Sequence, residues 1–84
     1  MTTRVIRKYA NRRLYDSKES RHLTLDEVRQ LVVDGESLRV EDAKTGEDLT
    51  RSVLLQIIVE REEAGEPLLS AGLLEQLIRF YGGE

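Results

Sequence analysis

Arg21-His22-Leu23-Thr24-Leu25-Asp26-Glu27-Val28-Arg29-Gln30-Leu31-Val32-Val33-Asp34-Gly35 is the stretch that decides the fold. Thr24 with Glu27 three positions on has the spacing of a capping box: the hydroxyl accepts from the third helical amide while the carboxylate reaches back. Leu25, Val28, Leu31 and Val32 then share one face of a helix predicted over about 25–34, and Gly35 is placed as its left-handed terminator. Arg21-His22-Leu23 reads as a short strand feeding that helix. A strand running straight into a short amphipathic helix points to a small α+β unit.

On the amino-terminal side, residues 4–9 are β-branched, aromatic and basic, and residues 12–16 follow Asn11, a residue that tolerates turn conformations. Two short strands, or a strand and an extended arm, are expected, with Ser17-Lys18-Glu19-Ser20 as a polar loop. On the other side, Leu38-Arg39-Val40-Glu41-Asp42-Ala43 alternates in strand fashion. Lys44-Thr45-Gly46-Glu47 reads as a turn, closing a small hairpin that returns through Asp48-Leu49. Thr50 is expected to cap a second helix over about 51–63. Its apolar residues, Val53, Leu54, Leu55, Ile57, Ile58 and Val59, spread well beyond one stripe, so it calls for burial on two sides. Gly65 and Pro67 end it, and Ser70 caps a third helix over about 71–81 carrying Leu73, Leu74, Leu77, Ile78, Phe80 and Tyr81. The expected architecture is α+β: one small domain over 1–84 with short antiparallel strands or hairpins and three helices. The last helix, within 64–84, is an added oligomerisation element.

Eighty-four residues bury only a small core, and the absence of Cys excludes a disulfide framework and any thiolate zinc site. Small scaffolds without such staples commonly gain stability by oligomerising. The apolar fraction, 39% against 35% charged, recurs in periodic blocks and argues for a folded domain. No apolar run approaches the roughly 18 residues of a spanning helix, and the start Met1-Thr2-Thr3-Arg4 is charged, so a cytoplasmic protein is expected.

Charge is strongly polarised. Residues 1–24 carry seven basic and two acidic side chains, whereas residues 25–84 carry six basic and fourteen acidic. Basic and aromatic residues interleave most densely in Arg7-Lys8-Tyr9-Ala10-Asn11-Arg12-Arg13-Leu14-Tyr15-Asp16. Arg and Lys neutralise phosphates, Arg can pair with a guanine edge, and aromatics pack on sugars or bases. The same residues are also consistent with Tyr9, Leu14 and Tyr15 as core inside a soluble basic rim, and composition does not choose between the two. Along a strand, Arg12 and Arg13 would point to opposite faces, which leaves one for function and one for structure. The helix over 25–34 is a poor recognition helix, because Asp26, Glu27 and Asp34 would sit beside phosphates.

Three motifs in unbroken order carry a resemblance: Lys8-Tyr9-Ala10-Asn11-Arg12-Arg13-Leu14-Tyr15-Asp16, Thr24-Leu25-Asp26-Glu27-Val28-Arg29-Gln30-Leu31, and Asp42-Ala43-Lys44-Thr45-Gly46-Glu47-Asp48-Leu49-Thr50-Arg51-Ser52. Over about residues 4–63 the chain resembles the DNA-binding amino-terminal domain of the bacterial polyhydroxyalkanoate accumulation regulators. That family's pattern often has Pro where this chain has Ala10. The resemblance implies a DNA-binding transcriptional repressor controlling polyhydroxyalkanoate accumulation and granule-associated protein genes. Its expected partners are double-stranded DNA, a second copy of the chain, and the storage polyester or its granule surface. On that expectation Arg4, Arg7, Lys8, Arg12 and Arg13 meet phosphates or base edges. Asn11 shapes the turn or reads a base, and Tyr9 and Tyr15 brace the element. A two-stranded ribbon in the major groove is the corresponding geometry. A granule-associated or protein-interaction module, docking its basic end on an acidic partner and its apolar helices on polyester, is the alternative.

Catalysis is not expected. His22 is the one histidine and there is no Cys, so no nitrogen or sulfur ligand pair can form within the chain, and no motif completes a nucleophilic triad. The segment 42–48 has oxygen ligands around a glycine but fails as a calcium loop, since Lys44 stands at a ligand position and Val53 at the terminal one. No glycine run follows a strand with phosphate-loop spacing, so neither metal nor cofactor is expected. The apolar load of the last two helices instead predicts self-association through Leu54, Ile57, Ile58, Leu74, Leu77, Ile78 and Tyr81.

Overall fold

The strand segments of the amino-terminal third form an antiparallel meander, β1 (Arg4–Lys8), β2 (Leu14–Asp16) and β3 (Arg21–Leu23), in the computed structural model, which describes residues 3–65 and 67–82. Helix α1 (Leu25–Val33) then crosses the sheet, so that β4 (Leu38–Asp42) runs alongside β1 in the parallel sense, in the order β3-β2-β1-β4. Helices α2 (Thr50–Glu63) and α3 (Ala71–Gly82) complete the chain. The two-residue period of the strands turns Ile6, Leu14, Leu23 and Val40 to one face, where they form a core with Val28 of α1 and Val53 and Ile57 of α2. The opposite face of the sheet presents Val5, Arg7, Tyr15, His22, Arg39 and Glu41.

The capping box at α1 is formed as expected: Thr24 Oγ1 accepts the Glu27 amide at 3.1 Å, and the Glu27 carboxylate accepts the Thr24 amide at 2.8 Å. At the other end, the Glu36 amide donates to the Leu31 carbonyl and the Gly35 amide to the Val32 carbonyl, both at 3.0 Å, with Gly35 at φ +90°. That pattern of paired bonds needs a left-handed residue after the helix, which only glycine adopts cheaply.

Three expectations need correcting. Thr50 is not the cap of α2 but its first helical residue: the cap position is Leu49, which makes no side-chain cap bond. The Thr50 hydroxyl instead accepts the Val40 amide at 2.8 Å, binding the helix start to β4, while Asp48 Oδ1 accepts the Thr50 amide at 2.9 Å. The expected hairpin returning through 48–49 shrinks to a single bridge between Glu41 and Asp48, because β4 finds its ladder partner in β1. Finally, α2 is buried on one side alone. Val53 and Ile57 face the core, whereas Leu55, Ile58 and Val59 remain exposed.

Helix α3 starts as expected, with the Leu73 amide donating to Ser70 Oγ at 3.0 Å, but none of its residues is buried. Its approach is fixed by Glu62, whose two carboxylate oxygens accept the amides of Leu68 and Leu69 at 2.7 and 3.0 Å.

Candidate nucleic-acid interface

β1 and β2 are joined by a three-residue loop, Ala10-Asn11-Arg12, closed by the Tyr9 amide donating to the Arg13 carbonyl at 2.9 Å and the Arg12 amide to the Tyr9 carbonyl at 2.8 Å. Asn11 Oδ1 accepts the Arg13 amide at 3.1 Å, an Asx turn that stabilises the bend. The last loop residue must be left-handed in this hairpin class, a position where glycine is preferred. Here it is Arg12, at φ +67°. The loop therefore holds an arginine where a glycine would be more stable, at the tip of the basic segment.

Ion pairing sorts the cations. Arg4 lies 2.9 Å from Asp16, with side-chain exposures of 10% and 0%, so a buried charge pair joins β1 to β2. Its Nε is also 3.3 Å from Glu36 Oε1 but is not aligned for a hydrogen bond. Arg7 and Arg39 both approach Glu41, at 3.6 and 3.0 Å, and Arg39 adds Asp48 at 3.1 Å. Arg21 pairs with Glu27 at 3.0 Å and with Glu19 at 3.4 Å. By contrast the side chains of Lys8, Arg12, Arg13 and Lys44 have no ion-pair partner among the described residues.

Those four cluster. Lys8, Arg12 and Arg13 line a cleft of about 220 Å³ together with Thr24, Val53 and Gln56, and Lys8 also lines a neighbouring depression of about 360 Å³ with Tyr9 and Lys44. The Lys8 carbonyl accepts the Ala43 amide at 2.9 Å, which ties the hairpin to the turn that carries Lys44. The first cleft reaches Thr24 and Leu25, where α1 begins, and the second lies where β1 and β4 end, so the amino terminus of α1 borders the cluster. Two acids share this end and are already engaged. Backbone amides of Thr45 and Lys44 hold the Asp42 carboxyl below the usual range. Hydrogen bonds from Thr50, hydroxyl and amide, do the same for Asp48, with Arg39 adding to the effect.

On the open face of the sheet the rings form a row. Tyr9 meets Tyr15 edge-on at 6.5 Å between centroids, and Tyr15 meets His22 in the same manner at 5.4 Å. Cross-strand register sets Arg7 beside Tyr15 and Tyr15 beside His22. Of the expected site residues, the structure gathers Lys8, Tyr9, Asn11, Arg12, Arg13 and Tyr15 around one hairpin. It holds Arg4 inside the β1–β2 seam and Arg7 against Glu41. Ile57, expected at an oligomer interface, belongs to the core, whereas Leu74, Leu77, Ile78 and Tyr81 are exposed. Lys44 was missed by sequence reasoning, and the lysine in an otherwise ligand-like acidic turn was the signal that could have found it.

The model of the PHB/PHA accumulation regulator DNA-binding domain matches residues 5–65, a span that contains the hairpin, both clefts and the whole sheet but for Arg4. The chain belongs to that family. Two curated relatives align over 80 residues, 95% of this chain: an uncharacterized protein of Allochromatium vinosum at 56% identity and an "uncharacterized protein in phbA 5'region" of Thiocystis violacea at 58%. The chain spans 52% and 58% of their lengths, so it covers little more than half of the curated relatives it matches. No solved structure matches the chain. Among the described residues no helix is long and apolar enough to cross a membrane.

Proposed function

We propose that this chain is the operator-binding part of a cytoplasmic repressor of polyhydroxyalkanoate accumulation and granule-protein genes, and that it holds duplex DNA on the pole formed by Lys8, Arg12, Arg13 and Lys44. The observation that carries the reading is pairing combined with position. Among the described residues, Lys8, Arg12, Arg13 and Lys44 have no carboxylate within ion-pair distance and line two adjoining clefts, whereas Arg4, Arg7, Arg21 and Arg39 have carboxylate partners and Lys18 and Arg51, also without an ion pair, line neither cleft. Phosphate neutralisation with counterion release is what such a cluster does best, and the hairpin is narrow enough to enter a major groove with Asn11 and Arg12 foremost. Arg4 is left out of this surface, because its charge is needed beside Asp16.

Anisotropy titrations of labelled duplex DNA across a salt series test the reading. Each phosphate contact contributes about 0.9 to the slope of log affinity against log salt, so Arg12→Gln with Arg13→Gln should lower that slope by about 2 and weaken binding at least tenfold. An unchanged slope in the double variant would move the DNA elsewhere on the molecule.

A second reading is favoured by α3, whose apolar residues Leu74, Leu77, Ile78, Phe80 and Tyr81 are all exposed. Coverage of this face by a second copy gives two basic poles for repeated half-sites, which suits a repressor. Binding of α3 to polyester is the competing use of the same face. Retention on purified polyester at high salt, without DNA binding at low salt, would select it.

A further inference from the structure

The basic pole accounts for the hairpin tip but not for the row of rings on the exposed side of the sheet. Tyr15 stands on an inner strand of that face, with Tyr9 and His22 packed edge-on against it on either side. No helix covers these rings: the elements that pack on the sheet, α1 and α2, lie on the side of Ile6, Leu14, Leu23 and Val40. Rings laid across three neighbouring chain segments of an open sheet, rather than along one strand, are a poor fit to the edge of a paired base and a good fit to splayed, unstacked bases. Arg7 lies in register next to Tyr15, and Arg13 is opposite Tyr9 across the hairpin. A sugar-phosphate chain following the rings would run from Arg7 toward Arg12 and Arg13 at the hairpin tip.

We propose that the open sheet face is a stacking platform for unpaired bases of single-stranded DNA, with Tyr15 as its centre, Tyr9 and His22 as its flanks, and the basic pole holding the backbone. Charge complementarity and the aromatic row select this occupant together. A polyester or an apolar helix would use the rings but leave the cations idle, and an acidic peptide would use the cations but not a row of rings in which Tyr9 and His22 are exposed and Tyr15 is half-buried. The inference rests on the basic pole binding phosphates, and it extends that surface from duplex to unpaired DNA. A strand opened beside a duplex held at the hairpin tip lies within reach of the face, which is why DNA rather than RNA is assigned.

The test uses the whole chain and three probes of about twelve nucleotides, a length that spans such a surface: oligo-dT, an abasic oligomer of the same length, and oligo-U. Oligo-dT is expected to bind about tenfold tighter than the abasic chain, since bases add stacking to an equal backbone charge. Tyr15→Leu should erase that difference, and His22→Ala should reduce it while leaving duplex affinity unchanged. Tyr15→Phe, which keeps the ring, should retain it and so controls for folding. Equal binding of oligo-dT and the abasic oligomer, or an undiminished difference in both Tyr15→Leu and His22→Ala, overturns the platform. Tighter binding of oligo-U than of oligo-dT overturns the assignment to DNA. The duplex titration above fails or succeeds separately, so loss of the platform leaves the operator-binding reading intact.

Discussion

Under the proposed function, Arg12 is the residue at which stability and DNA binding part company. A side chain bearing Cβ costs about 1–2 kcal/mol in the left-handed region, and a glycine there loses part of that gain, about 0.5–1 kcal/mol, through its greater freedom when unfolded. Arg12→Gly should therefore raise the unfolding free energy by about 0.5 kcal/mol in urea titrations while weakening DNA binding. A destabilised Arg12→Gly protein would mean that the φ of +67° is not a strain, and the argument for a functional arginine would fall with it. The sequence announced the turn, through Asn11, but not which arginine would sit beyond it. A strand period had set Arg12 and Arg13 on opposite faces, and the loop removed Arg12 from the strand altogether. Arg4 was equally opaque: its partner Asp16 is twelve positions away and meets it through strand pairing alone. A basic residue near other basic residues looks like one more ligand for phosphate until the sheet supplies a buried carboxylate.

Elements whose signals are local were legible, and those whose partners are distant were not. The capping box of α1 closes within four residues, so Thr24 and Glu27 could be named from spacing. Thr24→Ala should cost about 1 kcal/mol in thermal or urea unfolding, the usual worth of a side-chain cap. Glu27 also links this cap to pH. Its carboxyl is held below the usual range first by the Thr24 amide and then by Arg21. A depressed folded-state value means that the unfolded state binds the proton more tightly. The contribution is thus complete above the ordinary glutamate range and disappears as the pH falls through the lower, folded value. Melting temperatures of the native protein and of Glu27→Gln should converge on acidification, and a gap that stays constant from neutral to acid pH would contradict the linkage. Thr50 carried the same kind of local signal and misled, because the hydroxyl had a better partner in β4. The turn at 44–47 was also read correctly from Gly46, but its return strand was not. Whether a strand pairs with its neighbour in sequence or with one more than thirty residues earlier is decided by the crossover of α1, which no local pattern encodes.

At the scale of the whole molecule, the excess of apolar residues in α2 and α3 was visible in the sequence, and the structure shows which part of it the fold consumes. Val53 and Ile57 are taken into the core, while α3 contributes nothing to it. Leu77→Glu should therefore leave the urea midpoint of dilute protein within experimental error, yet lower the mass measured by light scattering at high concentration if α3 joins copies of the chain. A fall in the midpoint with no change in mass would make α3 part of the monomer's own stability. The parallel pairing of β1 with β4 has a consequence for how the molecule is made. The meander of β1, β2 and β3 closes locally, but β1 becomes an inner strand only when residues 38–42 arrive. Until then its amides and carbonyls form an unguarded sheet edge, the feature through which nascent chains zip onto one another. Arg4, Arg7 and Lys8 occupy that edge, so the charges later divided between a buried pair, an exposed pair and the basic pole oppose the pairing of half-folded chains.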